Sequence, residues 1–371
     1  MKRRDFLKQA GAGTVVAGAA LASGCSKASD STAAAPAIAS GKKITWKMVT
    51  TWPMNFPGLG TGANHLAEKI GEMSGGRMTV KVYGAGELVP AFEVFDAVTT
   101  GTAEMGHGAT YYWKGKDPAL QYFAALPFGM TATEMNAWLL HGGGLELWAE
   151  AYDRFGLVPM AAGNSGVQMA GWFNKEINSV ADLKGLKMRI PGLGGEALER
   201  AGGTPVNIPG GEIYTSMSQG IIDATEWVGP YNDLAFGLHK VAKHYYYPGW
   251  HEPGPTLECM VNQKAFNSLP DDLKAIVRAA ASSTNESMLA EYNARNKDAL
   301  AQLKNDHSIS PQPLPTEVLE NLRGYAAEII DEMANSSPLA TRIHKSYFDF
   351  YERAVQWSNI SERAFLNTRP G

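Results

Sequence analysis

Cysteine is nearly absent: Cys25 and Cys259 are the only two in 371 residues. This excludes a disulfide framework and a Cys-rich zinc site. Basic charge is not in excess either. Lys and Arg number 33 against 37 Asp and Glu, a net charge of −4, without the basic footprint of a nucleic-acid binder. The usual catalytic signatures are missing: no Gly-x-Ser-x-Gly, no Walker loop and no His-Glu-x-x-His. The eight His are scattered, the nearest useful pair being His239 and His244. Beyond the N-terminus no apolar run approaches the roughly 20 residues of a membrane span. What is present is a packed globular composition, 44% hydrophobic and 19% charged, with length enough for two domains. Nine Trp and fourteen Tyr are many for an acidic chain.

The N-terminus reads as an export signal. A basic head with twin arginines, Lys2-Arg3-Arg4-Asp5-Phe6-Leu7-Lys8, leads into a mildly apolar stretch over 10–22, the pattern of a bacterial Tat signal. Leu21-Ala22-Ser23-Gly24-Cys25 resembles a lipobox, with its Leu one position further from the Cys than usual. Residues 1–25 are therefore expected to be a Tat signal ending in a lipidated Cys25. An ordinary small-residue cleavage site is the alternative. Residues 26–42 form a Ser/Ala tether. Loss of Lys2, Arg3, Arg4 and Lys8 against Asp5 moves the net charge from −4 to −7. Cys259, in the apolar run Thr256-Leu257-Glu258-Cys259-Met260-Val261, reads as a core thiol.

Periodicity predicts strands at 44–49, 78–83, 104–109, 158–162, 167–173, 187–190 and 221–225. Helices are expected at 64–73, 91–99, 133–155 (broken at Gly142-Gly143-Gly144), 196–201 and 213–219. The alternation implies an α/β fold with mostly parallel strands. From 270 to 365 the pattern is helical in three long pieces. Two Gly-rich stretches, Gly58-Leu59-Gly60-Thr61-Gly62 and Gly192-Leu193-Gly194-Gly195, lack dinucleotide spacing and read as turns that let backbone approach a helix start or a ligand.

Polar residues embedded in aromatic strings mark the functional region. Tyr111-Tyr112-Trp113, Glu226-Trp227 and the run from Tyr245 through Trp250, His251 and Glu252 each follow a regular element. Such loops suit the walls of a ligand crevice at the carboxyl ends of strands.

Asp182-Leu183-Lys184-Gly185-Leu186-Lys187-Met188-Arg189 resembles the signature of TRAP-transporter solute-binding receptors. Gly211-Glu212-Ile213-Tyr214 through Gly220-Ile221-Ile222-Asp223-Ala224 resembles a second hallmark. Within that family Gly163-Asn164-Ser165-Gly166-Val167-Gln168 and Ala224-Thr225-Glu226-Trp227-Val228-Gly229-Pro230 look like the 2-oxo acid and hydroxy acid branch. The resemblance implies a hinged, two-domain periplasmic-binding-protein-like fold. Domain I would comprise 43–165 with 258–371, and domain II 166–257. It implies Arg189 as carboxylate anchor, a role for which the planar guanidinium fork is suited. It also implies a cation, Ca²⁺ or Na⁺, bridging protein and ligand through Gln168, Glu226, the Trp227 carbonyl and Glu252, an all-oxygen set. The ligand carboxylate, Glu226 and Glu252 against Arg189 leave a charge that Ca²⁺ would balance fully. Tyr112, Trp113, Asn164, Trp227 and Trp250 are expected to complete the pocket with Gln168. His251 stands where some relatives carry another Trp. The expected function is capture of a small 2-oxo or 2-hydroxy monocarboxylate in the periplasm and delivery to a TRAP permease, without catalysis. A homodimer through the long C-terminal helices is expected, with membrane contact only through the lipid anchor. A Tat-exported enzyme of small carboxylates and an ABC-type binding protein are the alternatives.

Overall fold

A computed structural model describes residues 43–369. The signal, Cys25 and the tether lie outside the described residues. The first sheet is built from β1 (Ile44–Thr50), β2 (Met78–Tyr83), β3 (Met105–Gly108), β4 (Leu157–Asn164) and, from far along the chain, β10 (Thr256–Asn262). Its helices are α1 (Leu59–Met73), α2 (Val94–Thr99), α3 (Ala132–His141) and α4 (Gly144–Asp153). The second lobe holds β5 (Gly171–Phe173), β6 (Lys187–Arg189), α5 (Gly192–Arg200), β7 (Thr204–Val206), α6 (Gly210–Ser218), β8 (Ala224–Thr225), α7 (Pro230–Phe236) and β9 (His244–Tyr247). After β10 come α8 (Gln263–Asn267), α9 (Asp271–His307), β11 (Gln312–Pro313), α10 (Thr316–Ala334), α11 (Pro338–Ile360) and α12 (Glu362–Leu366).

The strand orders are β2-β1-β3-β10-β4 and β11-β9-β5-β8-β6-β7. Both sheets are mostly parallel, as expected, with one reversed strand in each, β10 in the first and β5 in the second. The reversal of β10 follows from chain crossing. The chain leaves the first sheet after β4, returns after β9, and inserts β10 antiparallel to both β3 and β4. In the second sheet β5 lies antiparallel to β8 and β9, while β6 runs parallel to β7 and β8. Strand β11 pairs with β9, so residues 312–313, expected with the first domain, sit on the edge of the second sheet. Helix α9, 37 residues long, is about 55 Å at an α-helical rise and touches both β4 and α7. Among the described residues no helix is long and apolar enough to cross a membrane.

Local chemistry explains where elements start and stop. The long helix expected at 133–155 is two helices, because Gly143 adopts φ 86° between them. Thr131 and Glu134 close a capping box that starts α3. The two Gly-rich stretches lie at the starts of α1 and α5, where Gly58 and Gly192 take positive φ and the following glycines are helical. A Cβ on Gly60 would stand 2.5 Å from the Pro53 carbonyl oxygen, and one on Gly194 would stand 2.8 Å from His251 Cβ. Close packing, not turn geometry, requires glycine at these two positions. The strand expected from 167 shrinks to Gly171–Phe173. The residues before it instead bond across the crossing, Gln168 N–H to the Glu252 carbonyl (3.3 Å) and Met169 N–H to that of Val228 (2.9 Å).

Much of the aromatic surplus is core. Phe123 lies parallel to Trp138 and Trp148 at 5.8 and 5.3 Å, and Trp172 stacks on Tyr245 at 4.0 Å. Cys259 is wholly buried, and burial pushes its thiol well up. Beside it Glu258 is fully buried without a cation. It accepts hydrogen bonds from Trp113 Nε1 and from the Tyr152 hydroxyl (2.7 Å). Burial raises Glu258 from 4.5 to about 7. The folded protein therefore holds a proton that the unfolded chain gives up. That stability is complete below pH about 4.5 and is lost as pH rises through about 7. A Glu258→Gln variant keeps an acceptor for Trp113 and cannot titrate. Thermal unfolding between pH 5 and 8 should show a smaller loss of stability in the variant than in the wild type. Equal slopes would remove Glu258 from the account.

Candidate functional site

A narrow cavity opens between the lobes. The first-lobe side supplies Trp52, Leu59, Tyr111, Tyr112 and Leu257. The second supplies Arg189, Trp227 and Val228, and the crossing after β4 supplies Ser165 and Gln168. Position follows from topology. Arg189 is the last residue of β6, and Glu226 and Trp227 follow β8, its parallel neighbour. Strand carboxyl ends thus deliver an Arg, a Glu and a Trp to one crevice.

Arg189 is 1% exposed and Glu226 wholly buried. The guanidinium Nη1 makes a short ion pair with Glu226 Oε1. Nη2 donates to the Tyr112 hydroxyl (3.2 Å) and Nε to the Ile208 carbonyl (3.2 Å). Its guanidinium carbon lies 5.0 Å from the centre of the Trp227 ring, within cation–π range. Burial works against the Arg189 charge. Glu226, Tyr112 and Tyr111 outweigh it and hold Arg189 protonated above its ordinary value.

The second carboxylate is Glu252. Its Oε2 accepts from Gln168 Nε2 (2.7 Å) and, more weakly, from the Tyr111 hydroxyl (3.4 Å). Burial first, and the Glu226 charge second, push Glu252 well above the ordinary carboxyl range, with Arg189, Tyr111 and Gln168 opposing. Two buried carboxyls thus share one buried guanidinium. Gln168 Oε1 is buried with no hydrogen-bond partner. An unpartnered amide oxygen beside two carboxyls fits a hard cation, which takes oxygen donors.

Of the other expected pocket residues, Tyr112, Trp227 and Gln168 line the cavity; Trp113, Asn164 and Trp250 lie outside that lining. Trp113 turns beneath the first sheet to Glu258. Asn164 ties the crossing segments, donating to the Gly254 carbonyl (3.1 Å) and accepting from Gly166 N–H (2.8 Å). Trp250 packs on Phe128 at 5.6 Å, and its carbonyl accepts from Phe128 N–H. Tyr111, from the first aromatic string, lines the cavity as a wall, as expected of that string. Trp52, Leu59, Ser165, Val228 and Leu257 line it as well; Ser165 and Val228 lie in the two branch-like motifs, whereas Trp52 and Leu257 carry no local signal. Trp52 is placed by its indole N–H, bonded to His107 Nδ1 at 2.8 Å.

A two-lobed α/β fold with a cavity between its lobes, lined by a buried Arg189, is the architecture of a solute receptor. Residues 48–337 match the family model described as bacterial extracellular solute-binding protein, family 7, and the chain belongs to that family. It is 41% identical over 367 residues to the monocarboxylate 2-oxoacid-binding periplasmic protein of Nostoc sp., covering 99% of this chain and 98% of that protein. The TRAP periplasmic solute binding protein of Colwellia psychrerythraea, solved with calcium and pyruvate, is 44% identical. Its TM-score is 0.86, over 88% of this chain and all of that one. That of Pseudoalteromonas atlantica, solved with sodium and pyruvate, is 42% identical with a TM-score of 0.86, over 89% of this chain and all of the other.

The Arg189–Glu226 pair also carries stability. Removing one member of a buried pair leaves the other uncompensated, at a cost of about 3–5 kcal/mol. Denaturant unfolding of Glu226→Ala in metal-free buffer should show a loss of that size. A loss below about 1 kcal/mol would mean that water reaches and solvates Arg189.

Proposed function

We propose that this chain is the extracytoplasmic receptor of a TRAP transporter that captures a 2-oxo monocarboxylate such as pyruvate together with a cation. The observation that carries the reading is Arg189, buried at the end of β6 and facing the cavity between the lobes, beside two carboxyls and an unpartnered amide oxygen. The pyruvate complexes of relatives above 40% identity support the ligand class.

Arg189 is the carboxylate anchor. It already has one carboxylate partner in Glu226, and a ligand carboxylate would meet the same guanidinium. Tyr112, bonded to Arg189 from the opposite lobe, orients the fork and links closure to occupancy. Trp227 and Trp52, 6.2 Å apart and nearly perpendicular, wall the apolar side of a small ligand. Gln168, Glu226, Glu252 and the Trp227 carbonyl would hold the cation. When bound, it supplies the positive charge that three carboxylates around one guanidinium require. Because the cavity draws residues from both lobes, a ligand favours the closed state through differential contact. No bond is made or broken.

The finer features of the reading concern location and assembly. Twin-arginine export and lipidation at Cys25 would hold the receptor at the outer face of the cytoplasmic membrane, and the permease would take the ligand from there. The exposed apolar residues Trp357, Ile360, Phe365 and Leu366 near the C-terminus support a homodimer, which light scattering of the purified chain would report.

Two measurements test the core of the reading. Arg189→Lys keeps the charge that Glu226 requires but loses the fork. Calorimetry should show pyruvate binding weakened roughly 10–150-fold, corresponding to about 1.5–3 kcal/mol. Undiminished affinity would remove Arg189 as anchor. Chelation in sodium-free buffer should likewise abolish pyruvate binding, and added Ca²⁺ or Na⁺ should restore it. Affinity that survives both treatments would refute the cation's part.

A further inference from the structure

The oxygen set described above leaves one neighbour without a role. His251 is 2% exposed, between Trp250 and Glu252. Its Nε2 stands 3.3 Å from Glu226 Oε2, and its Nδ1 is buried with no partner. A buried, unpaired polar atom costs about 1–3 kcal/mol, and an apolar ring of similar size would avoid that cost. Packing therefore does not explain an imidazole here.

His251 belongs to a compact donor cluster. Glu226, His251 and Glu252 each present one ligand-capable atom, and the three atoms lie within 4.8 Å of one another. Two donors about 2.1 Å from one ion stand at most about 4.2 Å apart. Small side-chain adjustments would bring the three to coordinating distance. One imidazole nitrogen with two carboxylates is not the preferred set of Na⁺ or Ca²⁺, which take oxygen. It suits first-row divalent ions, whose affinity for nitrogen and oxygen donors rises towards Cu²⁺. Two carboxylates against a single Arg189 also favour a dication.

We infer that His251, with Glu226 and Glu252, makes this a site for a borderline transition-metal dication such as Co²⁺ or Zn²⁺, in competition with Na⁺ or Ca²⁺. The inference rests on reading the cleft as a cation site. It adds a nitrogen ligand and a second class of metal to that reading.

The test uses the full exported chain, stripped of metal. One equivalent of Co²⁺ should bind by calorimetry and give visible ligand-field absorption. One equivalent of Cu²⁺ should show nitrogen hyperfine coupling in its electron paramagnetic resonance spectrum, diminished by excess Ca²⁺. A His251→Asn variant should lower Co²⁺ and Zn²⁺ affinity at least about tenfold more than Ca²⁺ affinity. Absence of Co²⁺ binding, a Cu²⁺ spectrum without nitrogen coupling, or an equal loss for Co²⁺ and Ca²⁺ in His251→Asn would each overturn the inference. The wild-type spectra do not depend on the variant folding. Calcium-dependent pyruvate binding without Co²⁺ binding would leave the receptor reading intact and end this one. Co²⁺ binding through His251 with no pyruvate binding would do the reverse.

Discussion

A guanidinium buried to 1% exposure beside a wholly buried carboxylate constrains the rest of the molecule. Such a pair is tolerable only if its remaining polar atoms are met. For Arg189 the answers come from both lobes: the Ile208 carbonyl and Glu226 from the second, and the Tyr112 hydroxyl from the first. The lobes are thus joined through the group that is proposed to read the ligand. Glu226 faces His251 as well as Arg189, so the state of this one carboxylate is felt by anchor and metal cluster together.

Around the pair the backbone behaves as a frame. The segments at 165–170 and 248–255 run between the sheets side by side. They are tied by Gln168 N–H to the Glu252 carbonyl and by the Asn164 amide to Gly254. Helix α9 lies along both lobes, and Tyr292 on it bonds Asn232 of α7, which in turn donates to the Pro57 carbonyl.

The residues that the family resemblance proposed for the polar centre, Arg189, Glu226, Gln168 and Glu252, lie together, whereas Trp113, Asn164 and Trp250, proposed for the walls, lie outside the cavity lining. The four come together because each lies at a strand end or on a crossing. Trp113 follows Tyr112 in one aromatic string and Trp250 stands in another, yet they point to Glu258 and Phe128 instead. Tyr112 and Trp113 are neighbours on a tight helical turn and so face different ways, which composition cannot reveal. Trp52 and Leu59 were invisible for the opposite reason: they come from a loop and a helix start brought in by tertiary packing. In the fold, strand existence was legible from alternation over 44–49 and 78–83. The mostly parallel direction was legible too, but the one reversed strand in each sheet was not. That reversal depends on where the chain crosses between sheets, and no local pattern encodes it. The glycines of α1 and α5 look like turns in isolation, and only the approach of Pro53 and His251 shows why they are helical.

The place of β10 has a further meaning for biosynthesis. It lies between β3 and β4, so the first sheet stays split until residues from far down the chain have been made. Sheet pairings that span such sequence distance form slowly and leave strand edges bare meanwhile. A chain threaded unfolded through a pore would meet this delay outside the cell, with β3 and β4 open to wrong partners. The proposed twin-arginine route, which carries proteins already folded, would place that wait in the cytoplasm.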